Sequence, residues 1–219
     1  MKIPRKKTSH TLLNTHAILP ISHVNGPGAR AVVWTQGCCL RCPGCSNPLT
    51  HLHKKRILVE PQRLADSILA IRGIEGLTVS GGEPFEQAAA VSQLCRAVKE
   101  GGLSVMVFSG WKYESIRQCR VQAVKSLLNH IDILVDGPFI QDLANKHLLW
   151  RGSRNQKIRF LTNRYGPNVL QSSSLSQVEG QLLSGAPLQI TGFPEGTDLA
   201  VLTEHLAAES GILLEPSSS

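Results

Sequence analysis

The chain has 219 residues, of which 42% are hydrophobic and 18% charged, and its formal net charge is +7. This composition predicts one globular domain with an appended segment and excludes a disordered chain. No apolar run approaches the roughly 20 residues that span a bilayer, and the basic N-terminus lacks the apolar core of a secretory signal. We therefore expect a cytoplasmic protein without membrane association, whose six cysteines serve as metal ligands or reactive thiols rather than as disulfides.

Basic residues cluster in the first ten positions and again at Lys54, Lys55 and Arg56. These clusters are either solvated segments or a docking surface for an acidic partner, such as a small electron-donor protein. Aromatic residues make up 5% of the chain, and no basic stripe is interleaved with stacking side chains. The sequence therefore argues against nucleic-acid binding.

Predicted strands and helices alternate through the first 161 residues. Residues 1–16 are expected to form a basic flexible arm, and a turn at 24–28 precedes a buried strand at 31–35. Further strands are predicted at 76–80, 103–108, 131–135 and 157–161, with helices at 59–72, around 91–98 and at 113–128.

The alternation indicates an α/β fold with a parallel sheet and right-handed crossovers. Four to five strand–helix units in about 150 residues are too few for a closed eight-stranded barrel, which takes about 250. We therefore predict an incomplete, open parallel β/α barrel.

The regular alternation of predicted strands and helices ends at Tyr165, so residues 165–219 are predicted to form a C-terminal extension. A serine-rich linker at 171–176 is followed by a possible strand at 188–193 and a possible helix at 198–209. The extension is thus interpreted as a small βα unit with a disordered end.

Three cysteines, Cys38, Cys42 and Cys45, follow the first predicted strand in a C-x3-C-x2-C pattern. A 4Fe–4S cluster normally takes four thiolates, so a set of three leaves one iron open for chemistry. A structural zinc site, with His51 or His53 as the fourth ligand, is the alternative. The remaining cysteines do not extend this pattern.

A second motif, Gly81-Gly82-Glu83-Pro84, ends the next predicted strand. Glycines at a strand end let backbone groups approach a ligand closely, and a row of carbonyls there can accept from an ammonium group. A tight turn between strand and helix explains the motif equally well on its own.

The cysteine loop and residues 80–84 (SGGEP) together resemble the radical S-adenosylmethionine (SAM) superfamily. Other stretches narrow the resemblance: residues 24–30 (VNGPGAR), 42–45 (CPGC), 108–111 (FSGW), 133–139 (ILVDGPF) and 150–156 (WRGSRNQ). With them, roughly residues 17–160 are similar to the family of anaerobic ribonucleoside-triphosphate reductase activating proteins. The resemblance implies a radical SAM partial barrel over residues 17–164.

The family resemblance also implies a function. Cys38, Cys42 and Cys45 would hold a 4Fe–4S cluster, with SAM on the fourth iron. Reduced flavodoxin or ferredoxin would supply an electron for cleavage of SAM to a 5′-deoxyadenosyl radical. That radical would generate a glycyl radical on the anaerobic reductase, while the protein orients the reactants and excludes water and oxygen.

The resemblance implies SAM contacts at eight positions: Gly44, Cys45, Ser46, Gly81, Gly82, Glu83, Ser109 and Asp136. Ser109 is equally suited to cap the next helix, and Asp136 to a turn before glycine. Arg151, Arg154 and Asn155 would grip the partner's glycine loop, close the barrel or lie in a solvated loop.

Two further hypotheses remain open. The C-terminal extension leaves room for a radical SAM enzyme that acts on another peptide or on a small molecule. The cysteine triplet alone is also compatible with a non-catalytic iron–sulfur or zinc-binding module.

Overall fold

A computed structural model of the chain describes residues 11–145, 147–172, 178–181 and 189–192. Within them, seven strands form one open sheet: β1 (Leu13–Ser22), β2 (Arg30–Thr35), β3 (Ile57–Val59), β4 (Gly76–Gly81), β5 (Ser104–Ser109), β6 (Ile133–Asp136) and β7 (Lys157–Phe160). The order across the sheet is β3-β1-β2-β4-β5-β6-β7, and the two outer strands do not pair with each other.

The four central strands, β2, β4, β5 and β6, run parallel, as predicted. The chain also forms helices α1 (Pro61–Leu69), α2 (Ala88–Glu100), α3 (Tyr113–Gln118) and α4 (Gln122–Asn129). The helix predicted over 113–128 is thus confirmed as two helices, α3 and α4. The helix breaks between them because the backbone is extended at Cys119.

One face of the sheet packs against the helices, and this interface holds most of the apolar core. Leu64 and Ile68 of α1, and Val91 and Leu94 of α2, are buried against the strands. The spacing of these residues by three or four positions produces the single apolar stripe on each helix. Around β5 and β6, a separate cluster that includes Trp150 forms another part of the core.

The prediction of a wholly parallel sheet is wrong at both edges. β1 pairs antiparallel with β2 and β3, and β7 pairs antiparallel with β6. A parallel connection needs a crossover, usually an α-helix. The connection of β1 to β2 is a short glycine-containing turn, and residues 137–156 contain no α-helix among the described positions.

The predicted flexible arm also extends too far. Its last residues, 13–16, belong to β1, where Leu13 and Thr15 are completely buried. Residues 1–10 lie outside the described part of the chain. The alternation of Leu13, Thr15 and later core positions is a period-two strand pattern that the basic composition of the neighbouring residues obscured.

Arg30, at the start of β2, is completely buried and links three parallel strands. Its guanidinium donates to Thr78 Oγ1 (2.8 Å), Ser104 Oγ (2.8 Å) and the carbonyl of Leu77 (2.7 Å). Burial lowers the pKa of Arg30. These bonds fix the turn of residues 24–30 to β4 and β5 at the amino ends of the parallel strands.

The C-terminal extension forms a short helix, α5 (Val169–Ser172), and an antiparallel pair, β8 (Val178–Gln181) and β9 (Gln189–Gly192). The predicted strand at 188–193 is confirmed where it is described, whereas the predicted helix at 198–209 lies outside the described residues. In the pair, Glu179 accepts from the His23 amide (3.0 Å) and Thr191 from the Asn25 side chain (2.8 Å). Among the helices the structure describes, none has the length and apolar character needed to cross a bilayer.

We predict that Arg30→Lys lowers the free energy of unfolding by about 3 kcal/mol, since one ammonium group cannot reach the partners of a buried guanidinium. Arg72→Lys, at an exposed position, is the matched control and should change it by less than about 0.5 kcal/mol. Urea unfolding monitored by circular dichroism measures both. Equal stabilities of the two variants would contradict the bridging role of Arg30.

Candidate functional site

The predicted site residues lie at the carboxyl ends of the parallel strands. The cysteine loop follows β2, Gly81 ends β4, Ser109 ends β5 and Asp136 ends β6. The register pairs Thr35 with Gly81 and Ser109 with Asp136, so these ends meet at one edge of the sheet. Parallel α/β folds place their ligands at this edge.

Backbone hydrogen bonds close the base of the cysteine loop. Gly37 donates to the carbonyl of Thr50 (2.7 Å), and Cys38 donates to that of His51 (3.2 Å). On the other side, the Glu83 amide donates to the carbonyl of Gly37 (2.9 Å). The loop is therefore held both by its own returning segment and by the turn after β4.

The three cysteines are free thiols on this one loop. Cys38 is buried, Cys42 and Cys45 are half-buried, and the Asn47 amide donates to the Cys45 sulfur (3.4 Å). Burial raises the pKa of the Cys38 and Cys45 thiols, so metal binding would have to displace their protons. The described residues contain no assembled group of three Cys, His, Asp or Glu side chains able to hold a metal. The fit to an iron–sulfur cluster therefore lies in the donor chemistry of three loop thiols.

Gly44 adopts a left-handed backbone conformation (φ 72°) between Cys42 and Cys45. A Cβ atom there would lie 3.1 Å from the Phe139 ring and 3.2 Å from Gln141 Oε1. The cysteine loop thus passes close to the segment that follows β6. The neighbouring Ser46 is exposed, and its hydroxyl accepts from the Asn47 side chain (3.3 Å).

Gly81, the last residue of β4, and Gly82, which follows it, allow the closest backbone approach at the site. Gly81 has a φ of 99°, which favours glycine. A Cβ atom on Gly82 would lie 2.1 Å from the carbonyl oxygen of Gly37, inside any permitted contact. The Gly-Gly pair therefore brings the end of β4 against the start of the cysteine loop.

Glu83 is completely buried and joins the ends of β4 and β5. Its carboxylate accepts from the Phe85 amide (3.0 Å), the Gly110 amide (2.9 Å) and the Ser109 hydroxyl (2.9 Å). Burial raises the pKa of Glu83 to about 7, although all three donors favour the charged form. The side chains of Glu83 and Ser109, both predicted to meet SAM, are thus bonded to each other.

Asp136 is also buried, and both of its oxygens have protein partners. The Tyr113 amide donates to Oδ2 (2.9 Å), and Arg159 of β7 donates to Oδ1 (2.6 Å). Arg159 also lies over the Tyr113 ring, 4.6 Å from its centroid. The carboxylate therefore connects the end of β6 to the start of α3 and to the last strand of the sheet.

The three predicted partner-contact residues lie beside the end of β6 in different environments. Arg154 is exposed, whereas the Asn155 side chain donates to the carbonyl of Pro138 (2.7 Å) and Arg151 to that of Gln156 (3.4 Å). Arg151 Nε and Asn155 Oδ1 are buried without a hydrogen-bond partner. Of the three, Arg154 is exposed and the other two are half-buried.

Sequence reasoning missed Gln156, which holds this loop together. Its side chain donates to the carbonyl of Gly137 (3.0 Å) and accepts from the amides of Gly152 (2.9 Å) and Ser153 (3.2 Å). Gln156 belongs to the 150–156 motif, and its side-chain amide, which can both donate and accept, is the signal for this role.

A second missed residue, Glu86, braces the cysteine loop from the turn after β4. Its carboxylate accepts from the Cys39 amide (2.7 Å) and contacts His53 Nε2 (2.6 Å). His53 is therefore engaged with Glu86, whereas His51 Nε2 is buried without a partner. The position of Glu86, three residues after Glu83, was the signal that this carboxylate also faces the loop.

The chain matches the family described as a 4Fe-4S single cluster domain over residues 24–159. This match covers the cysteine loop and all four parallel strands, and it defines the chain as an iron–sulfur protein of the 4Fe–4S class.

Relatives narrow the assignment. Anaerobic ribonucleoside-triphosphate reductase-activating proteins from Escherichia coli (strain K12) and Vibrio cholerae are 31% and 35% identical to the chain. Each similarity covers 68% of this chain and 99% of the relative. The protein of that name from Enterobacteria phage T4 is 32% identical, over 67% of this chain and 93% of its own length. The chain belongs to the family of anaerobic ribonucleoside-triphosphate reductase-activating proteins.

We predict that Gly82→Ala lowers the free energy of unfolding by about 1–3 kcal/mol, because the added methyl group forces β4 and the cysteine loop apart. Iron content after anaerobic reconstitution should fall as well. Gly166→Ala, where a Cβ meets no atom within 4 Å, is the control and should change neither quantity. Full stability and iron content in Gly82→Ala would show that the approach is not required.

We predict that Glu83 makes the protein less stable as the pH rises from 5 to 8. Its pKa is about 7 in the folded chain against an ordinary value of 4.5, so the folded state binds the extra proton between these values. Glu83→Gln cannot titrate, so it should remove a pH-dependent decline in the free energy of unfolding of at most about 3 kcal/mol. Urea unfolding of the wild type and of Glu83→Gln at pH 5, 6, 7 and 8 measures this decline. The same pH dependence in the two proteins would contradict the raised pKa of Glu83.

Proposed function

We propose that this chain is a radical SAM oxidoreductase that generates a glycyl radical on an anaerobic ribonucleoside-triphosphate reductase. The observation that carries this proposal is the cysteine triplet at the end of β2, directly against the Gly-Gly turn at the end of β4. Family membership and the printed names of the relatives support the reductase as partner.

In this proposal, Cys38, Cys42 and Cys45 hold the 4Fe–4S cluster as its three protein ligands. The cluster and SAM, when bound, supply the one-electron cleavage that yields a 5′-deoxyadenosyl radical. The chain's own task is to hold the thiolates, orient SAM and keep water from the reactive edge. The open sheet would then be a partial barrel of the radical SAM type.

The eight residues proposed for SAM divide into two roles. Gly44, Gly81 and Gly82 offer backbone groups at the points of closest approach between the loops, and Cys45 and Ser46 continue that surface. The remaining three are buried and bonded to the protein, and we propose that they position the strand ends: Glu83, Ser109 and Asp136.

Partner recognition would fall to the loop after β6. Arg154 is exposed and available to an incoming glycine loop, whereas Arg151 and Asn155 support the loop from within. Reduced flavodoxin or ferredoxin would serve as electron donor, in the cytoplasm.

A second candidate, radical SAM chemistry on a different peptide or small molecule, is favoured by one observation. The relatives align with only 68% of this chain, and the extension lies outside the family match.

The test is anaerobic reconstitution followed by SAM and dithionite. We predict 5′-deoxyadenosine formation and, with the reductase present, a glycyl doublet in the electron paramagnetic resonance spectrum. Cys42→Ala should lose the cluster and SAM cleavage together, whereas Cys39→Ala, which changes an exposed thiol outside the triplet, should keep both.

The outcomes separate the candidates. SAM cleavage without a glycyl doublet would leave the second candidate. Stable zinc binding with no iron–sulfur absorbance and no 5′-deoxyadenosine would overturn both and indicate a non-catalytic module.

A further inference from the structure

We propose that the surface formed by Leu49, Leu52, Lys54, Lys55, Arg56 and Ile57 is the docking site of a small acidic electron-transfer protein. We call these residues the basic surface. The inference rests on the proposed function, because it assigns a place on the molecule to the electron donor of that reaction.

Cations predominate in this region, although the Glu86 carboxylate contacts His53 Nε2 (2.6 Å) beside it. Between Gly37 and Val59 the chain contains no Asp or Glu, whereas it carries Arg41 as well as the three consecutive cations of the basic surface. Lys54, Lys55 and Arg56 are exposed and form no ion pair within the described part of the chain. Such unpaired cations create a positive potential that attracts an acidic protein and speeds its association.

The same region concentrates exposed apolar side chains. Of nine large hydrophobic residues exposed in the described chain, four lie between positions 49 and 58. Leu49 is 72% exposed and Leu52 57%. Isolated exposed apolar residues need no explanation, but a group bordered by charges is typical of a protein-binding surface.

The backbone beneath these side chains is fixed to the sheet. The carbonyl of Leu52 accepts from Gln36 Nε2 (2.6 Å), and that of Lys54 accepts from Asn14 Nδ2 (2.8 Å). The Arg56 amide donates to Asn14 Oδ1 (2.9 Å). The side chains are therefore presented from an ordered support, which lowers the entropic cost of docking.

The basic surface is also connected directly to the cysteine loop. The segment that carries it includes Thr50 and His51, whose carbonyls accept from Gly37 and Cys38. The register pairs Ile57 with Thr15 and Thr15 with Thr35, so the basic surface lies level with the carboxyl end of β2, on the side of β3. Electron transfer weakens steeply with distance, so a donor benefits from docking beside the ligands of the cluster.

Charge selects among the possible occupants. A second copy of this chain would bring the same cations against the basic surface, and like charges repel. The reductase would be recognised by the loop after β6, whereas the basic surface lies at β3, on the opposite side of the sheet. An acidic donor satisfies both constraints.

The experiment compares two triple charge reversals in the reconstituted full chain. Lys54→Glu/Lys55→Glu/Arg56→Glu alters the basic surface. The matched control, Arg117→Glu/Arg120→Glu/Lys125→Glu, makes the same change of net charge at exposed positions in and around α3 and α4. Leu49→Ser/Leu52→Ser removes apolar contacts without changing charge.

Binding of flavodoxin and of ferredoxin is measured by fluorescence anisotropy at two salt concentrations, independently of catalysis. We expect the surface reversal to weaken donor binding at least tenfold and to abolish its salt dependence. The leucine variant should weaken binding while keeping the salt dependence, and the control should match the wild type. With dithionite, all variants should form 5′-deoxyadenosine at the wild-type rate, whereas with reduced flavodoxin the surface reversal should be at least tenfold slower.

Several outcomes would overturn the proposal. The proposal fails if neither donor binds the wild type. It also fails if the control loses as much binding as the surface reversal, because net charge alone would then explain the effect. Loss of reductase binding alone, or loss of self-association in gel filtration, would assign the basic surface to the reductase or to a second copy. Failure of dithionite to drive SAM cleavage in the wild type would instead overturn the proposed function, whatever the binding data show.

Discussion

The close contact between Gly37 and the Gly82–Glu83 turn is the constraint on which the site depends. The two backbones meet where a side chain would lie 2.1 Å from a carbonyl oxygen, and the Glu83 amide donates across the junction. The cysteine loop begins at Gly37, and Glu83 binds the end of β5. This junction therefore fixes the ends of β2, β4 and β5 relative to one another. The thiols are thereby placed relative to the sheet, although the loop itself is exposed over much of its length.

The parallel centre of the fold was predictable, because β-branched residues in short apolar runs alternate with helices of regular apolar spacing. The carboxyl ends of these strands then had to share one edge, and the sequence motifs fell there. The antiparallel edges were not predictable in the same way. A strand such as Lys157–Phe160 has the same local pattern in either direction, and only the path of residues 137–156 decides which one forms.

The candidate site was also predictable only in part. Spacing predicted the three cysteines as candidate ligands, since covalent distance along one loop limits where their sulfurs lie. It did not separate side chains that face a ligand from those that support the backbone. Glu83 and Asp136 are buried and bonded to groups more than 20 residues away, and Glu86 and Gln156 bond to groups 47 and 19 residues away. Long-range hydrogen bonds of this kind require the fold.

The C-terminal extension contacts the sheet at the far end from the thiols. Its Glu179 and Thr191 meet His23 and Asn25, at the turn that leads into β2, whereas the cysteines follow the exit of that strand. Six residues of β2 separate the two levels, about 17 Å. The described part of the extension therefore lies away from the strand ends that carry the proposed site. An added C-terminal segment at the amino ends of the parallel strands is compatible with an unchanged reaction.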